Sequence, residues 1–221
     1  MSLLQTALDF GAPADAGIAH ESGFRLLPGR LTPKAQSELL TDVLAAIELT
    51  PFYRARMPRT GRPLSVEMTN LGPLGWVSSI KGYGYQHTHP ETGALWGPMP
   101  RALLDLWAEL ADYPAPPQAC LVNWYKPGAK LGVHIDADED AHNAPVVSLS
   151  LGDGALFRLG GPKRGDKTQS FRLHSGDVVV LGGASRRFFH GVDRIYPGTS
   201  ALVPLEGGGR INLTLRRVTA P

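Results

Sequence analysis

Residues 132–140 read GVHIDADED. A hydrophobic run delivers a histidine and then a string of carboxylates. In an extended strand alternate residues share a face, so His134 and Asp136 point one way and Ile135 the other. The pair offers two prongs of a metal site. A third prong must come from elsewhere in the chain.

The surroundings of this stretch are strand-like. From Gln118 onward the hydrophobic period is two. Candidate strands are ACLVNWY, KLGVHID, PVVSLSLG, ALFRLG, SFRLHS, DVVVLG, RRFFHGV and INLTLRRV, with Gly, Pro, Asp or Asn in many of the gaps. Many short strands at this spacing indicate an antiparallel sandwich or jelly roll. Helical periodicity lies upstream instead of alternating with the strands, which argues against a parallel α/β sheet. Residues 33–48 carry Leu39, Leu40, Val43, Leu44 and Ile47 on one helical face, with Thr32 as N-cap and Pro33 as the first helical residue. A second helix is expected over 99–111, with Leu103, Leu104, Leu106, Trp107 and Leu110 inward. Residues 50–98, rich in Gly, Pro and aromatics, are expected to form short strands and loops. The expected organisation is an N-terminal extension and helix over 1–50, a segment with its supporting helix over 51–117, and a β core over 118–221. The fold class is mainly β (α+β).

A chain of 221 residues with 43% hydrophobic content can bury one core, and disorder is not the default. It has no apolar run long enough to span a bilayer. The N-terminus lacks the basic region and sustained apolar segment of a secretory signal, so a cytoplasmic location is expected. A single cysteine, Cys120, excludes an internal disulfide framework, and it reads as a small core residue. The net charge of +2 does not itself point to an anionic partner. The segment PFYRARMPRTGRP, 51–63, is different: it holds Arg54, Arg56, Arg59 and Arg62 and no acidic residue. It is either a solvated basic loop or a phosphate-contacting one.

Among the seven histidines, His190 in RRFFHGV is the candidate third prong, if its strand lies beside that of His134. Two histidines and one carboxylate leave coordination positions open, which suits Fe(II) that must accept a cosubstrate and oxygen. His87 and His89 form another pair in YGYQHTHP, read as a polar loop because no third ligand accompanies them. DADED does not make a calcium loop, because the sixth position is Ala141 and the twelfth Val147. Glycines 207–209 form a turn into the last strand, with no helix behind them to bind phosphate. In that strand Arg210, Asn212, Thr214 and Arg216 share a face opposite Ile211, Leu213 and Leu215. This is either an edge strand with its polar side in water or a barrel interior that holds an acid, since the Arg fork binds a carboxylate through two hydrogen bonds. Asn123 and Tyr125 also share a face.

Taken together, MTNLGPLGW, GYGY, LVNWYKPGAKLGVHIDADE, PVVSLSLGDGALFRLGG, KRGD, SGDVVVLGGASRRFFHGV and RINLTLR resemble the AlkB family of Fe(II)- and 2-oxoglutarate-dependent nucleic-acid dealkylating dioxygenases, most nearly the bacterial alkylation-repair enzymes. The resemblance covers most of residues 66–217. It implies a double-stranded β-helix (jelly roll) with N-terminal helices, and makes 51–117 a nucleotide-recognition lid. It implies that His134, Asp136 and His190 bind iron. Asn123, Tyr125, Arg210, Asn212 and Arg216 would hold 2-oxoglutarate. Trp76, Tyr83, Asp138 and Arg164 would contact the damaged base or its strand, with Trp76 and His134 as the walls of a base slot. Trp124 stands where a more polar residue is common, and is expected to face away from the cosubstrate. The implied activity is DNA repair by oxidative demethylation: 2-oxoglutarate and O2 are consumed, succinate and carbon dioxide form, and a hydroxylated N-alkyl group leaves as an aldehyde. The expected substrates are 1-methyladenine and 3-methylcytosine in DNA, with RNA as a further candidate, and the protein is expected to act as a monomer away from membranes. The alternatives are a related oxygenase acting on RNA or protein, and a non-catalytic nucleic-acid-binding jelly roll.

Overall fold

The computed structural model describes residues 17–221. Its strands are β1 (Ile18–Ala19), β2 (Phe24–Leu27), β3 (Glu67–Leu71), β4 (Gly75–Ser79), β5 (Gly82–Gln86), β6 (Ala119–Tyr125), β7 (Leu131–His134), β8 (Val146–Gly152), β9 (Gly154–Leu159), β10 (Gln169–Leu173), β11 (Val178–Leu181), β12 (His190–Tyr196) and β13 (Arg210–Arg216). Two helices, α1 (Pro33–Ala46) and α2 (Arg101–Leu110), accompany them. Seven strands form a major sheet in the order β1-β2-β11-β8-β13-β6-β3, and four form a minor sheet, β10-β9-β12-β7. Within these, the chain crosses between the sheets at every step from β6 to β13 except the β9–β10 hairpin, as in a jelly roll, and all their pairings are antiparallel.

The period of two sorts the side chains into layers. On the major sheet, Val122, Trp124, Val147, Leu149, Leu151, Val178, Val180, Ile211, Leu213 and Leu215 join one buried cluster with α1 and α2. The opposite face looks into the roll, where Tyr125, Val146, Val179 and Leu181 meet Phe157, Leu159, Phe171, Leu173 and Val192 of the minor sheet. Helix α1 starts as its sequence dictates: Thr32 Oγ1 accepts from the Ala35 N–H at 3.3 Å, and Pro33 occupies the first turn. Trp124 turns into the helix-side core and donates its indole N–H to the Gly208 carbonyl at 2.9 Å, away from the roll interior.

Within residues 17–30, β2 pairs with β11 in the major sheet, a four-residue strand too short to show a period. Of the two readings of the last strand, the barrel interior holds: β13 lies between β8 and β6, so its polar face is interior. Two strand expectations are corrected. RRFFHGV is not one strand, because 183–187 form a 3₁₀ turn and β12 starts at His190. Finally, KLGVHID does not stay extended through Asp136. β7 ends at His134, and the Asp136 carbonyl accepts from Arg186 Nη1 at 2.6 Å instead of from a strand neighbour. From the expected lid segment, β3 pairs with β6 in the major sheet, while β4 and β5 make a separate two-stranded ribbon.

Candidate metal centre and cavity

His190 and His134 are cross-strand partners on β12 and β7. Gly191 makes this register possible: a Cβ there would sit 2.7 Å from the Leu131 carbonyl oxygen of β7. The two rings lie 4.6 Å apart between centroids. Each is oriented the same way. His134 Nδ1 is 2.9 Å from the Gly132 carbonyl, and His190 Nδ1 is 2.9 Å from the Phe188 carbonyl. A carbonyl only accepts, so each Nδ1 carries the hydrogen and each Nε2 keeps its lone pair. The two Nε2 atoms face the Asp136 carboxylate at 3.7 and 3.8 Å. The donor atoms of His134, Asp136 and His190 lie within 4.8 Å of one another, and among the described residues this is the group of three placed to hold a metal ion.

Electrostatics favour the ligating forms. Burial alone would raise the Asp136 carboxyl. Arg216, His190, His134 and Arg186 outweigh it and hold the group well below the usual carboxylate range. Burial pulls the His190 imidazole down to about 4, against the attraction of Asp136, so it is neutral near pH 7. Two imidazole nitrogens and one carboxylate on one side of a cavity suit Fe(II) and leave other positions for exogenous ligands.

That cavity, about 500 Å³, runs from the metal group to a polar floor and out to an aromatic mouth. Asn123, Tyr125, Arg210, Asn212, Thr214 and Arg216 line it from β6 and β13. Arg210 is 1% exposed, and burial lowers its guanidinium to about 10, still charged at neutral pH. One nitrogen donates to Ser150 Oγ at 2.7 Å, whereas Nε and Nη1 have no partner among the described residues. Unmet buried donors are costly, so this floor fits an anionic group with two oxygens. Arg216 differs: Nη2 donates to Asp136 Oδ1 at 2.8 Å, and Nε lies 3.4 Å from Glu139 Oε1. Asn212 donates to Ser148 Oγ and the Leu149 carbonyl and accepts from Thr214, so both its amide hydrogens are used.

At the mouth, Trp76 on β4 stacks on Tyr83 on β5, with centroids 5.2 Å apart and planes 25° apart. Asn70 clamps the Trp76 backbone through two bonds of 3.0 Å. The Trp76 indole N–H donates to Asp138 Oδ2 at 2.8 Å, so Asp138 is tied to the aromatic pair and to the segment bearing Asp136. Arg164 lies over the Phe189 ring at 5.0 Å and lines the same cavity. The cavity therefore brings together all twelve candidate site residues: His134, Asp136, His190, Asn123, Tyr125, Arg210, Asn212, Arg216, Trp76, Tyr83, Asp138 and Arg164.

Other candidates lie apart. His89 is 1% exposed and is not a polar-loop residue: Nε2 donates to the Pro51 carbonyl, while Nδ1 accepts from the Glu91 and Thr92 N–H groups. Its ring meets Tyr53 and Trp96 edge-on, which makes it a core pin. His87 reaches the Pro73 carbonyl. In the basic segment, Arg54 pairs with Glu67 at 3.0 Å and Arg56 with the Gly61 carbonyl at 3.0 Å, while Arg59 and Arg62 are exposed. Cys120 is fully buried, and burial pushes its thiol up to about 12, as befits an inert core residue. Three residues beside the metal group escaped the sequence: Tyr85, Glu139 and Arg186. Glu139 was hidden in the acidic run, and Arg186 in a basic doublet, with no spacing to mark them.

Comparison with known proteins agrees with this geometry. The family model of the 2OG-Fe(II) oxygenase superfamily matches residues 23–216. The chain is 56% identical over 195 residues to the alpha-ketoglutarate-dependent dioxygenase AlkB homolog of Caulobacter vibrioides, covering 88% of this chain and 87% of that protein. It is 42% identical over 192 residues to the alpha-ketoglutarate-dependent dioxygenase AlkB of Escherichia coli, covering 85% and 87%. The solved structure of OsALKBH1 superposes with a TM-score of 0.75 at 32% identity, covering 91% of this chain and all of that one.

Proposed function

The chain belongs to the AlkB family of Fe(II)- and 2-oxoglutarate-dependent dioxygenases, and from that premise we propose a role for each group in the cavity and a preference for cationic alkylated bases in DNA. The activity is oxidative dealkylation of nucleic acid. Iron, 2-oxoglutarate and O2 together supply the oxidation of an N-linked alkyl carbon, with succinate and carbon dioxide as coproducts. The hydroxylated carbon then loses its bond to the ring nitrogen and leaves as an aldehyde.

In this proposal His134, Asp136 and His190 hold the metal, with both imidazoles fixed by backbone carbonyls. Arg210 receives the carboxylate of 2-oxoglutarate remote from the metal, because its buried Nε and Nη1 are charged donors without a partner among the described residues. Tyr125 and Asn123 line the same floor. Arg216, already shared between Asp136 and Glu139, orients the ligand carboxylate and adds positive charge at the metal end of the cosubstrate. Asn212 has no amide hydrogen left to donate and keeps the floor in shape, with its carbonyl oxygen facing Thr214.

Residues 51–117, chiefly the β4–β5 ribbon, act as the nucleotide-recognition lid. A base cannot be oxidised at its pairing edge while stacked in a duplex; it must be flipped out or come from a single strand. Trp76 and His134 form the slot that replaces its lost stacking, and Tyr83 braces Trp76. Asp138 is 2.8 Å from the Trp76 indole and uses one oxygen there, which leaves the other for the base. 1-Methyladenine and 3-methylcytosine are cationic, so a carboxylate at the slot favours them over neutral adducts. Arg164 contacts the strand.

One observation carries the proposal: a single cavity joins the His-Asp-His group, an unsatisfied buried guanidinium and an aromatic–carboxylate mouth. The test compares Asp138→Asn with the wild type on oligonucleotides bearing 3-methylcytosine or neutral 3-methylthymine. A larger loss on the cationic adduct supports the assignment, and equal losses on both overturn it.

A further inference from the structure

Of the carboxylates in residues 132–140, Glu139 and Asp140 have no role so far, and Glu139 is the buried one. Glu139 is 2% exposed, an unusual place for an acid unless it is paired. Arg186 Nη2 donates to its Oε2 at 2.7 Å, the Tyr85 hydroxyl donates to its Oε1, and Arg216 Nε lies 3.4 Å from the same oxygen. Arg186 is also buried, and its other nitrogens hold the Asp136 and Ala144 carbonyls at 2.6 and 3.0 Å. Two buried guanidiniums, Arg186 and Arg216, thus face two buried carboxylates, Asp136 and Glu139, and the four charges cancel. Without the charge on Glu139, both guanidiniums would turn to Asp136, whose Oδ1 already accepts from Arg216. Its remaining oxygen, the one that faces His190, would then be drawn from a metal ion to a guanidinium. Tyr85 adds a mechanical link, because it stands on β5, opposite Trp76 in the ribbon register.

We propose that Glu139 is a positioning residue: it neutralises the Arg186–Arg216 pair so that Asp136 keeps an oxygen for the divalent cation, and it fastens the metal-bearing segment to the recognition ribbon through Tyr85. This rests on the assignment of Asp136 as a metal ligand.

The test uses Mn(II), read from the electron-paramagnetic signal of the free ion over the full-length apoprotein, so that no turnover is needed. Glu139→Gln keeps the size and one acceptor oxygen, loses the charge and exchanges the second acceptor for a donor. It is expected to weaken Mn(II) binding by about tenfold or more, as loss of an outer partner of a metal ligand does. The charge-keeping variant Glu139→Asp is expected to retain most of that affinity, which a role of shape alone would not produce. Tyr85→Phe keeps the charge and is expected to weaken binding of a methylated single strand more than that of Mn(II). Unchanged Mn(II) affinity in Glu139→Gln overturns the proposal. So does Glu139→Asp binding Mn(II) as weakly as Glu139→Gln or worse. If Glu139→Gln does not fold, Glu139→Asp decides: affinity near that of the wild type supports charge balance, and a loss of about tenfold or more refutes it. Should Asp136→Ala bind Mn(II) as tightly as the wild type, the metal assignment itself falls, and that outcome is distinct from the others.

Discussion

Replacing Arg210 by Lys probes the cosubstrate floor with little disturbance elsewhere. The side chain is buried, and among the described residues the guanidinium bonds only to Ser150, at 2.7 Å, with Nε and Nη1 unpartnered. A lysine keeps the charge and gathers its donors on one nitrogen, but loses the planar fork. On the protein side at most one hydrogen bond is at risk, about 0.5–1.5 kcal/mol. On the ligand side at least one charge-assisted bond to a carboxylate goes, roughly 1.5–3 kcal/mol. At ~1.4 kcal/mol per factor of ten, 2-oxoglutarate should bind on the order of ten- to a hundredfold more weakly. The assay is calorimetric titration of 2-oxoglutarate into Mn(II)-loaded protein without oxygen, with Mn(II) affinity and melting temperature measured beside it. Weaker cosubstrate binding with unchanged metal affinity is the expected result. If 2-oxoglutarate binds Arg210→Lys as it binds the wild type, the unmet donors do not mark the carboxylate site.

Other expected outcomes follow from the same geometry. Trp76→Ala should cost roughly 1–3 kcal/mol in binding a methylated single strand, read by fluorescence anisotropy, while succinate formation without nucleic acid is little changed. In the basic segment, Arg59→Ala and Arg62→Ala should each lower the slope of log affinity against log salt by about 0.7–0.9. Arg54→Ala should lower it less, because Glu67 already holds that side chain; equal effects at all three positions would mean that the ion pair opens on binding. His89→Ala should lower stability by roughly 2–4 kcal/mol in denaturant melts, since it removes a buried ring and three part-buried hydrogen bonds to backbone, and it should leave Mn(II) affinity intact. A loss of Mn(II) affinity in that variant would return the 87–89 pair to the list of metal ligands.

Much of this was legible in the sequence because the period of two survives folding where strands are long. β13 alternates Arg210, Asn212, Thr214 and Arg216 with three aliphatic residues, and both its faces are buried, so the pattern transmits directly to a polar interior and an apolar helix side. His134 and Asp136 were legible for a partly mistaken reason. They do face the same metal position, but Asp136 lies beyond the strand end, placed by Arg186 instead of by pleating. The two-residue β1 and four-residue β2 gave too few positions for any period to register. The Glu139–Arg186–Tyr85 network was illegible because its members lie 47 and 54 residues apart in sequence. Only the closed roll makes them neighbours. Similarly, nothing in PFYRARMPRTGRP shows that Arg54 has an acid waiting at Glu67, because that pairing follows from where β3 docks.

The most direct measurement of the central claim is the stoichiometry of one reaction. The protein, Fe(II), 2-oxoglutarate and O2 are incubated with a single-stranded oligonucleotide carrying one 3-methylcytosine, and succinate, formaldehyde and oligonucleotide mass are followed together. The account predicts a loss of one methylene unit from the oligonucleotide, with one formaldehyde and about one succinate for each repaired base, and no repair with Asp136→Ala. An oligonucleotide whose mass never changes under these conditions, or repair that survives Asp136→Ala, would contradict it.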